Sequence, residues 1–139
     1  MMTPELAALA ATALLQVVMV FTAQRSLTAD VGRDGNVGPR DHLPPFSART
    51  LRLRRAVDNH VENIGLFTIA ILVVELSGAA SLFTAICAWA YVLARALYLP
   101  AYAFGWTPWR TLIWTAGLIA TLALIAAAFW SGTGPSPYE

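Results

Sequence analysis

The stretch R-R-A-V-D-N-H-V-E-N-I-G-L-F, residues 54–67, stands at the head of a long apolar run. Two arginines, two acids, two asparagines and a histidine occupy the place where a membrane span would begin. Outward from it, the chain is 58% apolar and only 12% charged, about half the charge of an average soluble domain. Three stretches, 4–24, 64–94 and 108–130, carry almost no charge, and about 20 helical residues suffice to cross a bilayer core roughly 30 Å thick. The pattern predicts an all-α integral membrane protein with four transmembrane helices in one domain (1–139): spans at about 3–23, 48–76, 81–103 and 108–130, with a polar loop at 24–47.

Local signals agree with these spans. Thr3-Pro4-Glu5 reads as an N-cap, a first-turn proline and an acid at the positive end of the helix dipole, and the absence of a basic n-region argues against a cleaved signal peptide. Thr107-Pro108 repeats the cap signal before the fourth span. Gly32, Gly35, Gly38, Pro39, Pro44 and Pro45 mark the long loop, and Ser77-Gly78-Ala79-Ala80 is a tight turn that makes spans two and three antiparallel. Pro100 predicts a kink in span three, and Gly132, Gly134, Pro135 and Pro137 end span four. Cys87, the single cysteine, leaves no internal disulfide and no cysteine-based metal cluster. No metal is expected, and no nucleic-acid partner is expected either, because removing the spans leaves no soluble basic surface. All nine basic residues are arginine, seven of them between Arg25 and Arg55. The positive-inside rule therefore puts the 24–47 loop and the Arg110 turn in the cytoplasm and both termini on the opposite side.

Ionisable residues within spans usually face a bundle interior or a wet cavity. Arg52, Arg55, Asn59 and Glu62 recur at helical spacing and form one stripe on span two, with His60 and Asn63 beside it. Arg95, Tyr98 and Tyr102 form a stripe on span three. Span four opens with Arg110 and Thr111, and Trp114 lies a turn deeper. These groups share one depth and suit a small polar ligand: guanidinium forks for carboxylates, Glu62 for an ammonium, Asn59 for a peptide group. A hydrophobic second substrate would arrive from the lipid. Structural readings stand beside this one. Juxtamembrane arginines anchor helices to headgroups, Glu62 and Arg95 suit an interhelical ion pair, and Tyr98, Tyr102, Trp89, Trp106, Trp109 and Trp130 suit an interfacial belt. His60 reads as a structural hydrogen-bonding group, and Glu75 reaches toward the far interface.

Taken together, Arg52-x-x-Arg55-Ala56-x-x-Asn59-x-x-Glu62, then Ala94-Arg95-x-x-Tyr98-x-x-x-Tyr102, then Gly105 and Arg110-Thr111 resemble the MAPEG family, membrane-associated proteins of eicosanoid and glutathione metabolism. The resemblance covers essentially the whole chain and is closest to bacterial-type glutathione transferases. It implies a homotrimer of four-helix bundles with the co-substrate glutathione bound between subunits near the cytoplasmic side. It nominates Arg25, Arg52, Arg55, Asn59, Glu62, Tyr98 and Tyr102 as glutathione contacts, Arg95 as part of the polar core, and Arg110 as the thiol activator. A thiol of ordinary pKa about 8.5 is mostly protonated at neutral pH, and a nearby cation favours the thiolate. The thiolate would attack a lipophilic electrophile or reduce a hydroperoxide. Trp114 stands where some members carry an aromatic hydroxyl, and the loop 28–45 is longer than in the compact eicosanoid enzymes, so eicosanoid substrates are not implied. The family also contains non-catalytic lipid- or protein-binding members, which have no need of a thiolate-stabilising cation. A small drug transporter would carry an acid deep in its first span, and residues 6–24 hold no charge.

Overall fold

The computed structural model describes residues 1–131, which form four helices: α1 (Pro4–Val37), α2 (Ala48–Leu76), α3 (Leu82–Ala103) and α4 (Trp109–Ser131). All four are long and apolar enough to cross a membrane. α2 and α3 pack together and each also touches α1 and α4, whereas α1 and α4 do not meet. The outer faces of the spans are largely apolar, with Leu14, Phe21, Ile69, Leu93, Leu97, Ile119 and Phe129 exposed. Such a surface belongs in lipid, and the chain is a multi-pass membrane protein.

Side-chain caps start the first three helices. Thr3 Oγ1 accepts from the Leu6 N–H at 3.2 Å, Ser47 Oγ from Thr50 N–H at 3.2 Å, and Ser81 forms a reciprocal capping box with Thr84. At the end of the bundle where α1 and α3 begin and α2 ends, polar groups are closely paired. Glu5 is only 1% exposed and accepts a 2.5 Å hydrogen bond from Thr84 Oγ1, and Glu75 accepts one from Thr3 Oγ1. These bonds tie α1 to α3 and α2. Between the two ends lies a core of Phe67, Ala70, Ile71, Val74, Ala88 and Leu124, with the Phe67 and Tyr91 rings stacked 3.8 Å apart. Cys87 is buried in it as a free thiol.

Two local expectations are corrected and one is extended. The stretch after residue 23 is not a loop from its start: α1 continues to Val37, bending at Gly32, whose φ of 74° is open to glycine and strained for other residues. The extension is held by tertiary contacts. Leu27 is buried, Ser26 and Thr50 share a 2.7 Å hydrogen bond, and Asp30 Oδ2 accepts from the Ser47 N–H at 2.8 Å. Of the stretch 24–47, residues 38–47 lie outside the helix. Thr107 does not cap α4, because its hydroxyl donates back to the Gly105 carbonyl at 3.4 Å and the helix starts at Trp109. Glu5 is a buried partner of Thr84 as well as a first-turn acid. Gly132, Gly134, Pro135 and Pro137 lie outside the described residues.

Candidate functional site

The N-terminal half of α2 runs beside the C-terminal half of α3 and the first turns of α4. Along α3, Tyr91, Arg95, Tyr98 and Tyr102 fall on one face by helical spacing. Two cations and three rings form one series along this face. The Arg95 guanidinium lies 5.7 Å from the Tyr91 ring centre and 5.0 Å from that of Tyr98. The Tyr98 and Tyr102 rings are 5.5 Å apart, and Arg110 of α4 completes the series at 5.0 Å from the Tyr102 ring. Away from water such contacts stabilise a cation appreciably.

Arg95 is 2% exposed. Its Nη1 and Nη2 both donate to Asn59 Oδ1 at 3.1 Å, and it makes no ion pair among the described residues. The ion pair with Glu62 that spacing allowed is therefore absent within one chain, and an amide oxygen with two ring faces takes its place. Asn59, Tyr98, Arg110, Thr111 and Trp114 line a polar hollow of about 170 Å³. Tyr98 is buried, while Asn59, Tyr102, Arg110 and Trp114 are half-buried. The Trp114 Nε1 is shut from solvent with no hydrogen-bond partner among the described residues.

Arg52 is held at the α3–α4 turn, where its Nη1 donates to the Ala103 carbonyl at 3.3 Å. Gly105, with φ of 67°, lets that approach happen: a Cβ there would sit 3.2 Å from Arg52 Nη1. Arg25, Arg55 and Glu62 are exposed, and none makes a hydrogen bond or ion pair among the described residues. One chain thus gathers Asn59, Arg95, Tyr98, Tyr102 and Arg110, holds Arg52 at the α3–α4 turn, and leaves Arg25, Arg55 and Glu62 exposed.

His60 is fully buried on the inner side of α2, and neither ring nitrogen has a hydrogen-bond partner among the described residues. The expected structural hydrogen bond is not made. Asn63 Nδ2 instead donates to the backbone carbonyl of Asn59 at 2.7 Å. Thr111 and Trp114, which the sequence sets beside Arg110 without a contact role, complete the wall; the four-residue step from Arg110 to Trp114 puts the indole on the same face. Among the described residues no group of His, Cys, Asp or Glu is placed to hold a metal.

A family model described as the MAPEG family matches residues 4–130, nearly the whole chain, and the chain belongs to that family. No curated protein matches it.

Proposed function

We propose that this MAPEG-family chain is a membrane-bound, glutathione-dependent transferase or peroxidase acting on lipophilic electrophiles. One observation carries the reading. Arg110 is a half-buried cation on the wall of a polar hollow, stacked on Tyr102, and it makes no ion pair among the described residues. A cation so placed favours the anionic form of a thiol brought against it. Thr111 and Tyr98 supply hydroxyls in the same hollow, and Asn59 supplies an amide already oriented by Arg95.

The hollow is smaller than the roughly 300 Å³ at which small-molecule sites usually begin. A tripeptide seated there extends past it. The outward-facing Arg55 and Glu62 of α2 offer the continuation, Arg55 for a carboxylate and Glu62 for an ammonium. Charged groups on a span are costly against lipid. A second copy of the chain covering that face, as in a homotrimer, would remove the cost and close the site between subunits. Arg25, on the neighbouring helix, and Arg52 would add carboxylate contacts from the same end. Under this reading the Arg110 end faces the cytoplasm, where the arginine-rich segment belongs by the positive-inside rule.

The chemistry is a nucleophilic displacement, addition or hydroperoxide reduction in which the protein supplies position and charge. Glutathione titration of the detergent-purified protein, followed by ultraviolet absorbance of the thiolate, tests it. The expected result is a saturable thiolate signal at neutral pH that Arg110→Ala abolishes. No signal from the wild type, or an unchanged one in Arg110→Ala, sinks the catalytic reading. Binding without thiolate points instead to a lipid- or protein-binding role for the fold.

A further inference from the structure

Behind the polar hollow, the bundle buries three polar side chains that no neighbour satisfies. His60 is fully buried, and Tyr91 and Arg95 are nearly so. Both imidazole nitrogens, the Tyr91 hydroxyl and Arg95 Nε have no hydrogen-bond partner among the described residues. The packing of α2 on α3 brings the three together. Asn59 of α2 meets Arg95 of α3, and about two turns further along α2 Phe67 stacks on Tyr91. The Arg95 guanidinium lies 5.7 Å from the Tyr91 ring centre. His60 is seven residues before Phe67, on the same face of α2, and so enters the space between those two contacts. The Arg95 charge acts on both the imidazole and the Tyr91 phenol.

Buried polar atoms are almost always hydrogen-bonded, to protein or to water held inside. A neutral imidazole offers one donor and one acceptor, a phenol one donor and an accepting oxygen, and Arg95 Nε one donor. Three donors therefore face two accepting atoms. One water molecule, with its two hydrogens and two lone pairs, closes that set. An imidazolium would not: four donors would face one accepting atom, with a second positive charge beside a guanidinium that has no ion pair. We infer that His60 is a positioning residue: its neutral imidazole, joined by one internal water to the Tyr91 hydroxyl and Arg95 Nε, locks the guanidinium that orients Asn59. Both Arg95 Nη atoms donate to Asn59 Oδ1, which leaves the Asn59 amide hydrogens for the hollow that Asn59 lines. Nε is on the remaining edge of the guanidinium, and a group gripped on one edge alone can swing. The line of support runs from His60 through Arg95 to the Asn59 amide, and its consequence for glutathione rests on the function proposed above.

The test uses the full chain in phosphatidylcholine nanodiscs, labelled with nitrogen-15 in arginine and histidine. The chain has two histidines, so His42→Gln isolates the His60 resonances, and Arg95→Lys identifies Arg95 Nε–H. Without glutathione, nuclear magnetic resonance should show one protonated and one bare His60 nitrogen, and magnetisation transfer from water to Arg95 Nε–H. That transfer should persist in His60→Gln, whose amide keeps a donor and an acceptor, and vanish in His60→Leu. It should also vanish in Tyr91→Phe, which keeps the ring on Phe67 and stands in for a His60→Leu chain that fails to fold. By calorimetry, the glutathione dissociation constant should rise about tenfold in His60→Leu, the loss of one hydrogen bond to the ligand, and recover in His60→Gln. The thiolate midpoint of bound glutathione should keep its wild-type value in both, because Arg110 is untouched; a site loosened as a whole would move it too. Two protonated nitrogens on His60, or equal water transfer in all the proteins, overturns the inference. So does glutathione binding that is unchanged in His60→Leu, or as weak in His60→Gln as in His60→Leu. The spectra need no glutathione. A wild type that shows the water contact but binds no glutathione therefore refutes the proposed function, and the positioning role with it, while the buried water site stands.

Discussion

The two ends of the bundle handle polar groups in opposite ways. Where α1 and α3 begin, Glu5 and Glu75 each accept a threonine hydroxyl, and Ser81 and Thr84 satisfy each other's backbone. At the other end, Arg55 and Glu62 face outward with no hydrogen bond or ion pair among the described residues, and the Arg110 guanidinium lies over the Tyr102 ring with no ion pair among them. Leaving a polar group unpaired in a low-dielectric setting costs more than a paired one returns. The first end is closed by bonds between helices, whereas the second pairs Arg95 with Asn59 and Arg52 with the Ala103 carbonyl but leaves Arg55 and Glu62 open. Under the proposed function those open groups are the ones that receive a ligand.

Substitutions on the two ends should therefore separate function from stability. The largest effect is expected for Arg110→Ala: glutathione-dependent turnover of an aryl electrophile should fall about 10²–10³-fold, the usual loss when one charge-stabilising donor is removed. Its thermal unfolding in detergent should stay close to wild type, and a matching loss of stability would break the comparison. Next, Thr84→Val should cost about 1–3 kcal/mol, because Glu5 is left buried without its donor, and glutathione affinity in the surviving folded fraction should be unchanged. Arg55→Ala should weaken glutathione binding about tenfold by calorimetry, near 1.4 kcal/mol, with the unfolding midpoint unmoved. The smallest effect belongs to Thr3→Ala, which removes a helix cap and the partner of Glu75 for about 1 kcal/mol. An effect of Thr3→Ala on thiolate formation would show that the two ends are coupled.

Much of this division was visible in the chain itself. Apolar runs of span length and the spacing of Arg52, Arg55, Asn59 and Glu62 are local facts, and they carried the four-span architecture and the polar stripe. Spacing shows which residues share a helix face but not which face turns inward. His60 and Asn59 are neighbours on adjoining rows. Only packing put His60 fully inside, left Arg55 and Glu62 outside, and gave Arg95 to Asn59 in place of Glu62. The extension of α1 was hidden for a related reason. Its glycines read as loop, while the contacts that keep it helical, Leu27 in the packing and Ser26 on Thr50, come from another part of the chain.

The central claim is that Arg110 holds a thiolate. The most direct measurement is a pH titration of ultraviolet thiolate absorbance for glutathione bound to the detergent-purified protein, alongside Arg110→Ala. The account predicts a midpoint for the wild type well below the ordinary thiol value of about 8.5, and a return toward that value in Arg110→Ala with glutathione still bound. Identical midpoints in the two proteins, or a wild-type midpoint at the free-thiol value, would contradict it.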